Sequence, residues 1–253
     1  MNILITICGR AGSKGVKNKN IREFLGIPLI NYTIGAAELF KERNMQHDID
    51  ICVNSDSIEL LEIARQQSKE VTIIDRPKEL AQDSSPKIPV LQYSLEFLES
   101  KFKKKYEYII DLDITSPYRR IEDIENTLNK AIDKYSVDVV FSVVESRRNP
   151  YFNMVEEIDG EIKKVKESNF VARQQAPKVY DMNASIYCFR RDSLMHVLNN
   201  SPFDGACDII LMKDTAVLDI DSEEDFELME VLAEYFFENE FRELYRYVHR
   251  SNN

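Results

Sequence analysis

The feature that most restricts how this chain can fold is a rhythm. Short apolar runs recur at residues 3–7, 49–53, 71–74, 108–112, 137–143, 185–189 and 216–220, and helical patterns separate them. The segments "LINYTIGAAELFKE", "SIELLEIARQQ", "IPVLQYSLEFLESKF" and "IEDIENTLNKAIDKY" place apolar residues at three- and four-residue steps. In the last of these, Ile121, Ile124, Leu128 and Ile132 share one helix face, which suits packing on a sheet. Strands alternating with amphipathic helices predict an α/β domain with a mostly parallel sheet.

With 253 residues, 43% of them hydrophobic, the chain is long enough to enclose its core as a single domain over residues 1–253. A net charge of −11 argues against nucleic acid as the main partner, because a phosphate backbone calls for a broad cationic face. The apolar run at 3–7 is too short for a signal sequence or membrane span, so a cytoplasmic chain with no membrane partner is expected. Cys8, Cys52, Cys188 and Cys207 show no C-x-x-C spacing and there are three histidines, which gives no sign of a zinc site or disulfide framework. The rhythm breaks at residues 146–182. Two short strands are predicted there around an Asp159-Gly160 turn, followed by an irregular stretch. This inserted lobe has too few apolar residues to close its own core, yet it carries Tyr151, Phe152, Phe170 and Tyr180, which predicts a homodimer. Residues 222–250 read as C-terminal helices, with Leu228, Val231, Leu232, Tyr235 and Phe236 forming one apolar face.

Against the acidic background, "ITICGRAGSKGVKNKNIR" gathers Arg10, Lys14, Lys17, Lys19 and Arg22 around Gly9, Gly12 and Gly15. It is not a P-loop, since the fifth residue after Gly9 is Lys14, and it is not a dinucleotide fingerprint, since position 11 is alanine. A strand followed by a glycine turn with exposed amides and several cations offers what a triphosphate needs, although a solvated basic turn would look the same. Far along the chain, Asp219 and Asp221 stand two apart at the end of the strand predicted over 216–220. Their side chains would share a face and converge on one cation. Ser222 and Asp225 form an N-cap pattern for the following helix, and the acidic run could instead serve only the helix dipole.

These motifs carry a resemblance. "RAGSKGVKNKNIR", followed in order by "RPKELAQDSS", "TSPYR", "RQQAPKVYDMNASIY" and "DIDSEEDF", resembles the acylneuraminate cytidylyltransferase (CMP-sialic acid synthetase) family over roughly residues 3 to 230. The resemblance implies a Rossmann-like three-layer nucleotidyltransferase fold, a homodimer, and transfer of CMP from CTP to a nine-carbon 2-keto sugar acid with release of pyrophosphate. It implies that Arg10, Ser13, Lys19 and Asn20 hold the CTP phosphates and nearby groups, that Arg76 and Ser85 contact the nucleotide, and that Asp219 and Asp221 bind Mg2+. Arg10, Lys19, Asp219 and Asp221 are then the catalytic set. It places Tyr187 near the sugar, with Asp113, Arg173 and Gln174.

The chain departs from the sialic-acid enzymes at "DLDITSPYR", where Asp113 stands in place of a glutamine that meets the sugar. A carboxylate accepts hydrogen bonds but cannot donate as an amide does. With "RRNPYFN" and "RQQAPKVYDMNASIY", this looks most like the branch that activates N,N'-diacetyllegionaminic acid. The rival readings are a CMP-N-acetylneuraminate, CMP-pseudaminate or eight-carbon ulosonate synthetase, and, from another class, a CTP-binding regulatory module without turnover.

Overall fold

The computed structural model describes residues 1–12 and 15–250, with Val217 described by its backbone only. Strands β1 (Asn2–Cys8), β4 (Asp48–Ser55), β5 (Val71–Asp75), β6 (Tyr108–Leu112), β7 (Val139–Glu145), β10 (Tyr180–Arg190) and β11 (Cys207–Leu211) form one seven-stranded sheet. Two further pairs stand apart: β2 (Glu23–Phe24) with β3 (Ile27–Pro28), and β8 (Val155–Ile158) with β9 (Glu161–Lys164). The order in the main sheet is β11-β7-β10-β6-β1-β4-β5. β10 runs antiparallel to both its neighbours, and all the other pairings are parallel.

Among the described residues seven α-helices complete the fold: α1 (Leu29–Arg43), α2 (Ile58–Gln67), α3 (Lys87–Phe102), α4 (Ile121–Asp133), α5 (Arg191–His196), α6 (Glu223–Asn239) and α7 (Arg242–Arg250). Alternate residues of each strand point to opposite faces and so feed two cores. Ile3, Ile5, Ile51, Val53 and Ile110 pack with α1, α2, α4, α6 and α7, whereas Leu4, Cys52, Ile109 and Phe189 pack with α3 and α5. The result is the three-layer α/β architecture expected from the sequence. In α4, Ile121, Ile124 and Leu128 are buried as the periodicity predicts. No helix among the described residues is long and apolar enough to cross a membrane.

Two expectations need correction. Residues 216–220 are not a strand: a 3-10 turn spans Asp214–Val217, and the chain then crosses the strand ends with the Ile220 amide donating to the Thr115 carbonyl (3.2 Å). The sheet edge is taken instead by β11, where Asp208 pairs with Lys130 (3.1 Å) and Lys134 (2.5 Å), of which Lys130 lies on α4. The second concerns α6, which buries Phe226, Met229, Ala233 and Phe237, while Leu228, Val231 and Tyr235 are exposed. Phe24, Tyr32 and Tyr118 supply the aromatic partners for Phe226 and Phe237 and so select that face.

Within residues 146–182, β8 and β9 join through Asp159 and Gly160 at φ 54° and 79°, the left-handed pair that a two-residue hairpin requires. The hairpin leaves Val155, Ile158 and Ile162 exposed. Tyr151 and Phe170 meet edge to face at 6.2 Å, and Phe152 and Tyr180 stay exposed.

Candidate active site

The C-terminal ends of β1, β4, β5 and β6 lie on one rim of the sheet, where α/β folds place their ligands. The glycine loop leaves β1 at Cys8 and is anchored by the Gly9 amide on the Asn54 carbonyl (3.1 Å). Arg76 lies buried beneath it. Its Nε donates to Asn54 Oδ1 (2.7 Å), and its Nη2 donates to the carbonyls of Asn54 (2.8 Å) and Gly9 (3.2 Å). In this geometry Arg76 braces the loop from below.

The loop touches the acidic segment directly. A Cβ on Gly15 would fall 1.9 Å from the Asp221 carbonyl oxygen, so the two backbones meet where only glycine fits. Lys19, in a 3-10 turn, donates through Nζ to the Ile220 carbonyl and lies 3.1 Å from Asp221 Oδ1. Arg22 pairs with Glu223 and lies 3.9 Å from the centre of the Phe226 ring. Segments some two hundred residues apart are thereby joined at a cluster of opposite charges. Asn20 Nδ2 donates to the Arg10 carbonyl (3.3 Å), Arg10 pairs with Asp83, and the Ala11 amide donates to Asp56 Oδ1 (2.8 Å). Ser13 lies outside the described residues.

Asp219 and Asp221 precede α6, whose N-cap is formed as the S-x-x-D pattern predicts: the Asp225 amide donates to Ser222 Oγ (3.1 Å), and the Ser222 amide to Asp225 Oδ2 (2.8 Å). Burial, and then the charges of Asp221 and Asp113, push the Asp219 carboxyl above its usual range, and Lys19 offsets them only in part. The charges of Asp221 and Asp113 thus act on Asp219 near a lysine.

Asp113, just past β6, accepts at Oδ1 from the Thr115 amide (2.9 Å) and Thr115 Oγ1 (2.8 Å), and Lys87 Nζ lies 3.3 Å from Oδ2. Burial would raise its pKa, but Lys87, the Thr115 donors and Arg119 outweigh burial and hold it below the usual carboxylate range. Arg119 is itself buried. It donates to the Asp113 carbonyl and to Ser185 Oγ (3.2 Å), and desolvation lowers its pKa to about 10. Tyr187 on β10 stacks on Phe189 at 5.9 Å, and its ring centre lies 5.7 Å from Lys87 Nζ.

The structure therefore brings together Arg10, Lys19, Asn20, Arg76, Asp219 and Asp221 around the loop, and Asp113 and Tyr187 around Lys87. Arg173 sits on the lobe, where Nη2 donates to the Ser146 carbonyl (2.6 Å), and Gln174 is exposed beside it. Ser85, before α3, donates to the Glu79 carbonyl (3.2 Å) and accepts from the Gln82 amide (3.2 Å). Sequence reasoning missed Lys87, Asp111, Arg119, Asp56 and Asp83. The available signal was Asp111, two residues before Asp113 and so on the same side of a strand that is otherwise apolar.

Comparison with known proteins bears on the family and the fold. The family model described as Cytidylyltransferase matches residues 4–242. The chain is 41% identical over 233 residues to the post-translational flagellin modification protein B of Campylobacter coli, covering 91% of this chain and 94% of the relative. With the same identity and coverage it is similar to the CMP-N,N'-diacetyllegionaminic acid synthase of Campylobacter jejuni. Among solved structures, CMP:2-keto-3-deoxy-manno-octonic acid synthetase complexed with CTP superposes with a TM-score of 0.66 at 14% identity, covering 93% of this chain and 99% of that one, a likeness of fold.

Proposed function

Because this chain belongs to the cytidylyltransferase family, we propose that it transfers CMP from CTP to a nine-carbon 2-keto sugar acid, N,N'-diacetyllegionaminic acid, and releases pyrophosphate. The observation that carries this reading is the meeting of the cationic glycine loop with the aspartate segment, through Gly15 and Lys19 against Ile220 and Asp221. The two relatives at 41% identity support it, one of them named for that very sugar.

In this reaction the anomeric hydroxyl attacks the α-phosphorus in line. A new P–O bond forms, the bond to the β-phosphate oxygen breaks, and the hydroxyl proton departs. Alignment and charge neutralisation do most of the work. Arg10 and Lys19 would hold the leaving pyrophosphate, with Ser13 and Asn20 on neighbouring oxygens. Arg76 would position the loop, Ser85 would meet the nucleotide, and Asp113, Tyr187, Arg173 and Gln174 would face the sugar.

The donor set fits Mg2+. Asp219 and Asp221 are anionic oxygen ligands whose mutual repulsion a hard cation would relieve. Asp219 and Asp221 would hold the ion, and among the described residues no group of three or more His, Cys, Asp or Glu side chains could hold a metal. Bound there, Mg2+ supplies Lewis-acid polarisation of the phosphate. The exposed apolar residues of the lobe support a homodimer, which light scattering at micromolar concentration tests, a monomer being the contrary result. A cytoplasmic site of action is part of the same proposal.

Pyrophosphate release across a panel of nonulosonic acids tests the reading. N,N'-diacetyllegionaminic acid should give a kcat/KM at least ~10-fold above that of N-acetylneuraminic acid. Equal or reversed preference contradicts the choice of sugar, and no release with any of them contradicts the activity.

A further inference from the structure

Lys87 occupies an unfavourable place for a cation. It is the first residue of α3, where the helix dipole presents its positive end, and that first turn holds no acidic residue. Helices α2, α4 and α6 start with acids, Glu59 in α2, Glu122 and Asp123 in α4, and Glu223, Glu224 and Asp225 in α6, and α1, which like α3 has none, carries no cation in its first turn either. Two carboxylates offset the cost at Lys87. Its Nζ lies 2.5 Å from Asp111 Oδ2 and 3.3 Å from Asp113 Oδ2.

The cluster is fixed from behind. Asp111, with no exposed surface, accepts from Thr6 Oγ1 (2.8 Å), and Asp113 is held by Thr115. The side chain of Lys87 is the most accessible of the three, at 38% against 24% for Asp113 and 0% for Asp111. An ammonium has three N–H donors and the carboxylates engage two, so the third belongs to the open side, next to the Tyr187 ring at 5.7 Å.

We propose that Lys87 is a specificity-determining residue of the sugar subsite, donating its third N–H to the incoming acid while Asp113 accepts from it. The inference rests on the sugar-acid reading above. Lys87 Nζ and Asp113 Oδ2, 3.3 Å apart, set a donor and an acceptor side by side, which together can meet an amide or hydroxyl of the sugar. Asp111 then serves as the buried counter-charge that keeps the lysine in place.

Steady-state kinetics of Lys87→Met and Lys87→Arg, with CTP and N,N'-diacetyllegionaminic acid varied in turn, test this assignment. Lys87→Met should raise KM for the sugar at least ~10-fold and leave KM for CTP within about twofold, and Lys87→Arg should recover most of the loss. A lysine that merely neutralises Asp111 would instead lower the melting temperature with the sugar KM unchanged, or raise both KM values together, and either result overturns the proposal. Should Lys87→Met fail to fold, Lys87→Met combined with Asp111→Asn removes the donor without leaving a buried carboxylate unpaired, and its sugar KM is read by the same criterion. Absence of pyrophosphate release by the wild-type enzyme with any sugar acid would overturn the underlying functional reading, whereas normal wild-type turnover with a variant sugar KM that does not move overturns only the role of Lys87.

Discussion

Gly15→Ala is the sharpest probe of how the site is built. The added Cβ would lie 1.9 Å from the Asp221 carbonyl oxygen, a backbone atom that cannot rotate out of the way. Carbon–oxygen contacts settle near 3.3 Å, so the loop and the aspartate segment would have to separate by about 1.4 Å. A shift of ~1 Å between reacting groups costs about 100-fold, so kcat should fall by ~10² while overpacking destabilises the fold by only ~1–3 kcal/mol. Gly12→Ala is the control: it meets the left-handed backbone penalty of ~1–2 kcal/mol at φ 74°, but its Cβ would meet none of the described residues within 4 Å. The assay is pyrophosphate release at saturating CTP and sugar, with circular dichroism to confirm folding. A folded Gly15→Ala enzyme within threefold of wild-type kcat would show that the loop and Asp221 need not meet, and the argument would fail.

Asp219→Asn and Asp221→Asn should each lower kcat ~10²-fold or more with the fold intact, as measured at saturating Mg2+; a role limited to the α6 dipole predicts only a stability change of ~0.3–1 kcal/mol. Calorimetry should show weakened CTP binding in Arg10→Ala and Lys19→Ala, whereas unchanged affinity in both would reduce the loop to a solvated turn. Stability should also depend on pH through Asp208: burial acts to raise its pKa, but Lys134, the Ile209 amide and Lys130 prevail and bring it down to about 2. A carboxyl depressed on folding stabilises above its unfolded pKa near 3.8 and loses that contribution as pH falls towards 2, so acid melts of Asp208→Asn should converge on wild type there and differ by about 1 kcal/mol at neutral pH after solvent screening.

Much of the sheet was legible because a strand buried on both faces reads as a mostly apolar run, as at residues 3–7 and 108–112, each with a single polar residue, Thr6 and Asp111. The edge strand β11 escaped because "CDIIL" is only partly buried and carries Asp208 for an interaction with lysines that lie far off in sequence. Residues 216–220 look like a strand locally, yet they lie across the ends of the sheet, which apolar content alone does not reveal. On α6 two apolar stripes compete, and packing against Phe24, Tyr32 and Tyr118 decides between them. Within the site, Lys19 and Asp221 were legible as motifs, and the structure adds that they touch. Lys87 and Asp111 were not, because a buried aspartate and a lysine at a helix start declare themselves only through each other.

The most direct test follows the phosphorus atoms. Phosphorus NMR of CTP and N,N'-diacetyllegionaminic acid incubated with the enzyme and Mg2+ should show CTP replaced by equal amounts of a CMP diester and pyrophosphate. Hydrolysis of CTP without the diester, or CTP left intact, would contradict cytidylyl transfer to the sugar acid.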